Sequence, residues 1–408
     1  MSLNSTPNGE RIHIGIFGRR NAGKSSIMNA ITNQSMSIVS DNPGTTTDPV
    51  SKAMELLPLG PVVFTDTPGF DDEGELGDLR VNRAYETLRK TDIALLVVNV
   101  TEGISDYEEN FLKELKLRKV PYIVCVNKTD SCKDVEGAVN DIKHNIYIEE
   151  TAPVIGVSTI TKSGVEDLKY AIAEFNTEKK KKVLIADLLK KDDTVVLVVP
   201  IDESAPKGRL ILPQQQVIRD VLEAGCTAVV TKETELAETL EKLKDRPRVV
   251  VTDSQAFAMV SQIVPQDVYL TSFSILMARY KGDLDWQVKG AKAIDELKTG
   301  SKVLISEGCT HHRQCGDIGT VKLPAWIRKY TGESPDITFT SGTEFPDDVS
   351  MYDLVIHCGG CMLNEQEMKY RIRKARESGV SITNYGVAIA YMNGILKRSL
   401  DLLTTGDK

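Results

Sequence analysis

Hydrophobic and polar positions in the first part of the chain alternate between strand-like and helix-like patterns. Residues 11–17 alternate and then become apolar, which predicts a strand, and residues 24–32 follow as a helix. Further buried strands are predicted at 61–65, 93–100, 120–126 and 153–157, with amphipathic helices at 80–89 and 107–118. Because strands alternate with helices, we expect a mostly parallel sheet with right-handed crossovers.

A charge block at 178–182 interrupts this pattern and is the best candidate for a linker. The pattern restarts beyond it, with strands predicted at 194–200, 228–231, 248–252, 302–306 and 352–357, and helices at 214–224 and 233–243. The sequence therefore predicts an α/β fold of one larger domain followed by two smaller α/β domains, with bounds at 1–177, 178–270 and 271–408.

Length and composition agree with several globular domains. The chain has 408 residues, of which 41% are hydrophobic and 26% are charged, so two or three separate cores are expected. The net charge is −8, and lysines stand in a run only at 179–182, which argues against a nucleic-acid partner because phosphate binding needs a basic surface.

No apolar run is long enough to cross a bilayer, and residues 1–10 lack the basic-then-apolar order of a signal peptide. We expect a cytoplasmic protein with no membrane partner. Seven cysteines, an odd number, make a disulfide framework improbable in such a chain.

A phosphate-binding loop is predicted at 18–25, where the sequence GRRNAGKS matches G-x-x-x-x-G-K-[ST]. The two glycines let the backbone fold tightly around a phosphate, and the N-terminus of the following helix faces the anion. Lys24 is expected to reach the β and γ phosphates, and Ser25 to offer its hydroxyl to Mg²⁺.

A second phosphate motif, DTPG at 66–69, directly follows the predicted strand at 61–65. Asp66 at the strand end can hold Mg²⁺ through water, and the Gly69 N–H can reach the γ phosphate. Between the two motifs lies PGTTTD at 43–48, where one threonine can contact Mg²⁺ only while a γ phosphate is present. The residues alone do not decide which of the three threonines does so.

A guanine-specific loop is predicted at 127–130, where the sequence NKTD follows a strand. The Asp130 carboxylate can accept both N1–H and the N2 amine of guanine, which adenine does not present. Lys128 is expected to pack over the base and Asn127 to connect this loop to the phosphate-binding loop. Ser158 and Thr159 follow another strand and either donate backbone N–H groups to the guanine oxygen or form an ordinary turn.

In these motifs the chain resembles the translation-factor-class GTPases related to Era and MnmE. The resemblance places Thr46 on Mg²⁺, and Asn21 at a K⁺ site that replaces an arginine finger. Phe70 stands where Ras-type enzymes have a water-orienting glutamine, so hydrolysis of GTP to GDP and phosphate is expected to be slow and helped by K⁺ or a partner. The sequence departs from the pattern at Thr47 and at 158–160.

These motifs and the resemblance together define the expected nucleotide site. Its nucleotide-binding residues are Gly18, Asn21, Ala22, Gly23, Lys24, Ser25, Ser26, Thr46, Asp66, Gly69, Asn127, Lys128, Asp130, Ser158 and Thr159, of which Lys24, Thr46, Asp66 and Gly69 are expected to be catalytic.

Ligand-capable side chains gather at two strand ends in the last hundred residues. Cys309 and His311 follow one predicted strand, and His357, Cys358 and Cys361 follow another. Three cysteines suit a 4Fe–4S cluster with an exchangeable fourth ligand, for which His311 or His357 is a candidate. The same residue types also suit zinc, and a lone C-x-x-C also suits a redox pair, so spacing leaves these alternatives open.

Taken together, the GTPase-like domain, the α/β middle region and C-x-H-x₄₅-H-C-x-x-C resemble the HydF family of maturation GTPases for iron–iron hydrogenases. The resemblance implies a middle dimerisation domain and a carboxy-terminal domain with a 4Fe–4S cluster on Cys309, Cys358 and Cys361. It implies a homodimer or tetramer that carries a diiron precursor to the apo-hydrogenase and works with radical-SAM maturation proteins. Two other functions stay open: a GTP-regulated metalloenzyme, and a ribosome-associated GTPase with a zinc-stabilised tail.

Overall fold

The computed structural model describes residues 6–32, 50–70, 75–175, 182–201, 210–309 and 317–405. The chain divides into two compact units, Met1–Lys180 and Lys181–Lys408. The structure confirms the predicted α/β fold class in both units.

The first unit is built on a six-stranded sheet among its described residues, with the order β2-β3-β1-β4-β5-β6. The strands are β1 (Ile12–Phe17), β2 (Val50–Leu56), β3 (Gly60–Asp66), β4 (Ile93–Asn99), β5 (Tyr122–Asn127) and β6 (Val154–Gly156). The β2–β3 pair is antiparallel and the other pairs are parallel. The mostly parallel sheet expected from the alternating pattern is thereby confirmed.

Helices cover both faces of this sheet, and successive residues of β4 contribute to the apolar cores on the two faces. Leu95 packs into one apolar core and Leu96 into the other, because neighbouring strand residues point to opposite faces. The helices are α1 (Lys24–Thr32), α2 (Glu75–Arg89), α3 (Asp106–Arg118), α4 (Val135–Lys143) and α5 (Val165–Glu174). Since β4 is buried along its whole length, its continuous apolar run is what a doubly covered strand requires.

The second unit begins with a four-stranded parallel sheet among the residues described there, in the order β10-β9-β7-β8. Its strands are β7 (Thr194–Val198), β8 (Thr227–Thr231), β9 (Val249–Thr252) and β10 (Tyr269–Ser272). The helices that accompany it are α6 (Leu212–Glu223), α7 (Leu236–Lys242), α8 (Phe257–Ile263) and α9 (Phe273–Lys281).

A second four-stranded parallel sheet follows, in the order β12-β11-β13-β14 within the described part of the chain. Its strands are β11 (Lys302–Ser306), β12 (Asp336–Thr340), β13 (Leu354–His357) and β14 (Ser381–Asn384). Its helices are α10 (Leu284–Gly290), α11 (Leu323–Thr331), α12 (Glu365–Glu377), α13 (Tyr385–Met392) and α14 (Leu396–Thr405).

Short helices complete the connections. The 3-10 turns are Asn8–Glu10, Thr129–Ser131, Ala186–Leu188, Glu233–Glu235, Ser254–Ala256 and Ala291–Glu296, and a π turn at Ile318–Lys322 leads into α11.

The two sheets of the second unit share one apolar core. Val196 and Val250 from the first sheet belong to the same cluster as Val303 and Ile356 from the second. Side chains of the two sheets are therefore packed within one body, although each sheet has its own strand order. The predicted domain bounds at 177 and 270 stay predictions.

Among the helices in the described ranges, none has the length and apolar character needed to cross a bilayer.

Candidate functional site

The phosphate-binding loop joins β1 to α1, where the sequence predicts it. Gly23 has a φ of +96°, and a Cβ there would lie 2.1 Å from Asn127 Nδ2. Glycine is needed at this position for its backbone conformation and for space. The N-terminus of α1 follows immediately and offers N–H groups to an anion.

Lys24 is buried and lies inside the curve of this loop. Its Nζ donates to the carbonyl oxygens of Gly18 at 2.9 Å and Arg19 at 2.8 Å. The ammonium is thereby held at the centre of the loop, where a bound phosphate would meet it.

Ser25 and Asp66 meet at the carboxyl ends of β1 and β3. The Ser25 hydroxyl donates to Asp66 Oδ2, while the buried Asp66 Oδ1 has no hydrogen-bond partner among the described residues. Burial raises the pKa of Asp66 above its usual value, against the lowering effects of Ser25 and Lys24. A hydroxyl beside a carboxylate with an unsatisfied oxygen suits Mg²⁺, which prefers oxygen ligands.

The DTPG turn is fixed to β1 through Thr67. Its backbone N–H and hydroxyl both reach the Ile16 carbonyl, at 3.2 and 2.7 Å. Gly69 is buried in this turn, and the next residue, Phe70, is buried against Phe111 with ring centroids 5.3 Å apart. The Phe70 side chain is thus part of the apolar core.

The loops predicted to bind guanine meet at the carboxyl ends of β5 and β6. Asn127 Nδ2 donates to the Ala22 carbonyl at 2.9 Å, which is the connection to the phosphate-binding loop that the sequence predicts. The buried Ser158 hydroxyl donates to Asp130 Oδ1 at 2.5 Å and accepts from the Thr161 N–H at 3.1 Å. Asp130 itself stays exposed, and Thr159, the residue after Ser158, is half-buried.

The remaining expected nucleotide residues divide into three cases. Asn21 is exposed and has a φ of +60°, and Lys128 is half-buried with a φ of +64°. Ser26 is exposed in the first turn of α1. Thr46 and the rest of the 43–48 motif lie outside the described residues.

Arg19 lies in the phosphate-binding loop, and the sequence motifs predict no role for its side chain. Its Nε donates to Glu108 Oε1 at 2.7 Å, and a terminal nitrogen donates to the Gly103 carbonyl at 3.1 Å. Glu108 is buried and also accepts from the Ser105 N–H at the start of α3. The sequence pattern does not predict the Arg19–Glu108 ion pair, because 89 positions separate the two residues.

The three cysteines expected to hold a cluster lie at the carboxyl ends of β11 and β13, and we call them the thiol pocket: Cys309, Cys358 and Cys361. The N–H groups of Gly308 and Gly360 approach Cys358 Sγ at 3.0 and 3.3 Å. A Cβ on Gly308 would be 3.4 Å from the Gly360 Cα, so the two cysteine loops are in contact.

The thiols influence one another electrostatically. Burial, followed by the charges of Cys358 and Cys361, raises the pKa of the Cys309 thiol. Burial and the charge of Cys361 raise the pKa of Cys358 to about 11, although the N–H groups of Gly308 and Gly360 lower it. A bound cation would favour the thiolates that this pocket otherwise disfavours.

His357, a candidate fourth ligand, uses both ring nitrogens within the protein. Its Nδ1 is 2.8 Å from the Cys358 carbonyl and its Nε2 is 2.9 Å from a guanidinium nitrogen of Arg371. Burial and the Arg371 charge lower the pKa of His357 to about 3. The ring is therefore neutral, and its Nε2 accepts a hydrogen bond from Arg371. In this arrangement His357 connects the Cys358 backbone to Arg371 and stabilises the loop that follows β13.

His311, the other candidate fourth ligand, lies outside the described residues, as do His312 and Cys315. Within the described ranges, no three His, Cys, Asp or Glu side chains are grouped as a single-ion site. The donor set fits a 4Fe–4S cluster: three thiols stand on contacting loops, and two N–H groups point at one sulfur, as outer-shell donors do in such centres.

Three buried charged residues surround the thiol pocket without having been expected there: Lys281, Glu307 and Arg371. The Tyr385 hydroxyl donates to Glu307 at 3.4 Å. Arg371 could have been found from the helical period, because it shares one buried face of α12 with Met368, Ile372 and Ala375. The sequence around Lys281 carries no comparable signal.

Comparison with protein families divides the chain into three matched regions. Residues 184–282 match the hydrogen maturase F dimerization domain, and residues 285–402 match the hydrogen maturase F tetramerization domain. Residues 13–128 match the 50S ribosome-binding GTPase family.

Curated relatives match part of the chain. GTPase Der from Nitratiruptor sp. is 33% identical over 161 residues, which cover 38% of this chain and 35% of the relative. The tRNA modification GTPase MnmE from Geobacillus kaustophilus is 31% identical over 160 residues, or 39% of this chain and 33% of the relative. The chain thus spans about a third of the length of these relatives.

Among solved structures, an Era variant from Aquifex aeolicus bound to GDP.AlF4- is 20% identical, with a TM-score of 0.37 over 54% of this chain and 93% of that one. A probable GTP-binding protein engB is 23% identical, with a TM-score of 0.32 over 40% of this chain and 97% of that one.

Proposed function

Because the chain belongs to the hydrogen maturase F family, we propose that it is a GTP-hydrolysing scaffold in the maturation of iron–iron hydrogenase. The single observation that carries this proposal is the thiol pocket at the ends of β11 and β13, in the same chain as a complete phosphate-binding loop. A GTPase whose second unit served only as a regulatory domain would not require the thiol pocket in addition to the phosphate-binding loop.

For GTP hydrolysis, the first unit supplies binding and charge stabilisation. The α1 N-terminus and Lys24 would hold the phosphates. Ser25 and Asp66 would hold Mg²⁺, together with Thr46 while a γ phosphate is bound, and the ion would neutralise charge on the phosphates. Gly69 donates its N–H to the γ phosphate. Asp130 selects guanine, and the Ser158 hydroxyl fixes the orientation of its carboxylate.

Intrinsic hydrolysis is slow because Phe70 offers no polar group to the attacking water and is buried against Phe111. We propose that K⁺ at Asn21 supplies the missing positive charge. Replacing Na⁺ by K⁺ should then raise the hydrolysis rate. Asn21→Gly, which keeps the backbone free to adopt the φ of +60°, should remove the difference between the two ions, and equal rates in the unsubstituted protein would reject the K⁺ role.

In the second unit, Cys309, Cys358 and Cys361 would hold a 4Fe–4S cluster, whose remaining iron supplies an exchangeable position for a diiron precursor. His311 or a carboxylate is a candidate for that position, and His357 holds the adjacent loop. We propose that the loaded protein delivers this precursor to the apo-hydrogenase and works with radical-SAM maturation proteins. The dimerization and tetramerization domains imply that it does so as an oligomer.

Anaerobic reconstitution with iron and sulfide tests the proposal, followed by metal analysis and electron paramagnetic resonance of the reduced protein. We expect about four irons and four sulfides per chain for a 4Fe–4S cluster. Cys309→Ser, Cys358→Ser and Cys361→Ser should each lose the signal, whereas Cys132→Ser in the first unit should keep it. Stoichiometric zinc without sulfide would favour the metalloenzyme or ribosome-associated alternative.

A further inference from the structure

Helix α9 brings the region that matches the dimerization domain against the thiol pocket. It is the last helix of that region and packs with Phe273, Leu276 and Met277 into the core of the β7–β10 sheet. Cys361 contacts the same core, and a Cβ on Gly359 would lie 3.6 Å from Met277 Cβ. The Cys358–Cys361 turn therefore rests on a helix from outside the β11–β14 sheet.

The last residue of α9 is a lysine with 2% of its surface exposed. Lys281 Nζ donates to the carbonyl oxygens of Cys361 at 3.1 Å and Leu363 at 2.8 Å. Burying an ammonium is costly unless its hydrogens are bonded, so these contacts also fix where the charge stands. Both acceptors belong to the turn that carries Cys361 and to its continuation toward α12.

We propose that Lys281 is a positioning residue for the iron–sulfur cluster: its ammonium holds the Cys361 turn in place and puts a fixed positive charge beside the thiolates. The inference rests on the proposed cluster site and adds to it a residue from the region matched as the dimerization domain. The thiol pocket is then shared between two parts of the second unit, with sulfurs from one and the compensating charge from the other.

The electrostatic surroundings give that charge a definite effect. Glu307 and Asp317 are buried, and their charges raise the pKa of Cys309, so acidic groups already face the pocket. Three thiolates add further negative charge, and each electron taken up by a cluster adds more. A cation fixed nearby stabilises the reduced state most, because net charge and outer-shell bonds set the potentials of such clusters.

Reconstituted full-length protein and its Lys281→Gln, Lys281→Arg and Lys281→Met variants would be compared by two readouts. The first is the midpoint potential from a redox titration followed by electron paramagnetic resonance. Lys281→Gln, which keeps a donor without the charge, should lower the equilibrium constant for reduction about tenfold, or about 59 mV for one electron. Lys281→Arg should stay within about twofold of the unsubstituted protein, since it keeps the charge.

The second readout is the rate at which a chelator removes iron. Lys281→Met loses both carbonyl contacts and should release iron on the order of tenfold faster. Lys289→Met, at an exposed position on α10, is the control for loss of one lysine and should change neither readout. If Lys281→Met does not fold, the Gln and Arg pair still decides the charge effect.

The outcomes separate this inference from the proposed function. If the unsubstituted protein takes up no iron and sulfide, the cluster itself is absent and both proposals fail. If it takes up a full cluster, and the Lys281→Gln potential and the iron-release rates match those of the unsubstituted protein, the role of Lys281 is wrong while the cluster stands.

Discussion

At the scale of a single side chain, we propose that Asp130 selects the nucleotide that the first unit binds. Its carboxylate is exposed for the base, while the Ser158 hydroxyl holds one oxygen at 2.5 Å. An amide at this position turns one acceptor into a donor that faces the donors of guanine. The same amide would match xanthine, which has a carbonyl where guanine has its N2 amine.

We therefore expect Asp130→Asn to weaken GTP binding on the order of a hundredfold and to improve binding of xanthosine triphosphate. Calorimetric titration with both nucleotides in Mg²⁺ measures the change. Asp134→Asn is the matched control, because Asp134 accepts from the Gly137 N–H at the start of α4 and asparagine caps helices equally well. Unchanged GTP affinity in Asp130→Asn would remove Asp130 from the base site.

Arg371 is also a residue-scale feature, but its contacts join several elements. Its guanidinium donates to Glu367 Oε1 at 2.8 Å, Ser306 Oγ at 3.2 Å and the Gly342 carbonyl at 2.9 Å, and it meets His357 Nε2. It is fully buried. Since the Gly342 N–H donates to the Cys309 carbonyl at 3.3 Å, the network reaches both cysteine loops.

Arg371→Met should lower the free energy of unfolding by about 3–5 kcal/mol, because Glu367 would remain as a buried charge without its partner. Chemical denaturation of the cluster-free protein measures this loss. Arg373→Met on the same helix, where the side chain is 47% exposed, should cost less than about 1 kcal/mol. Equal stability losses in the two variants would contradict the importance of the buried network.

At the scale of elements, the loop between β1 and α1 depends on β5 for its shape. The Asn127 amide bonds to the Ala22 carbonyl and lies where a Cβ on Gly23 would be. A residue at the end of one strand therefore sets the curvature of a loop that begins at another.

Gly23→Ala should impair both stability and GTP binding, because the methyl group collides with Asn127 and displaces the loop. Gly60→Ala in the β2–β3 turn is the matched control: its φ is +91° and nothing lies within 4 Å of the added Cβ. The control should lose about 1–2 kcal/mol of stability from its backbone alone and keep its GTP affinity. Thermal unfolding and nucleotide titration of both variants would reveal the difference, and intact GTP binding in Gly23→Ala would refute the steric constraint.

The bounds of the helices and strands could be predicted closely where an element is apolar or adjoins a recognised sequence motif. The predicted helix at 24–32 and strand at 302–306 coincide with α1 and β11, and most other predicted strands match within a few residues. The sequence pattern missed β2, β10, β12 and β14, which have half-exposed or short sequences. Their strand state depends on pairing with β3, β9, β11 and β13, and pairing partners are not visible in a local window.

For the whole molecule, the nucleotide site and the thiol pocket belong to different compact units with separate apolar cores. We expect each site to be lost without abolishing the other. Lys24→Ala should lower GTP hydrolysis by about a hundredfold or more and leave cluster content unchanged. Cys358→Ser should do the reverse, within about twofold of the normal hydrolysis rate.

Parallel assays of hydrolysis and of iron and sulfide on both variants measure these effects, with circular dichroism to confirm folding. Loss of hydrolysis in Cys358→Ser would show that the cluster is required for nucleotide turnover. Loss of the cluster in Lys24→Ala would show the converse dependence.

The sequence by itself determined the α/β class, the positions of the loops predicted to bind phosphate and guanine, and the strand ends that carry the cysteines. It could do so because each of these is set over a few consecutive residues by period, glycine spacing or side-chain chemistry. Only the tertiary structure decided which distant groups meet: Ser25 with Asp66, His357 with Arg371, and Lys281 with the Cys361 turn. Such contacts join positions tens of residues apart through strand order and helix packing, and no local pattern along the chain records them.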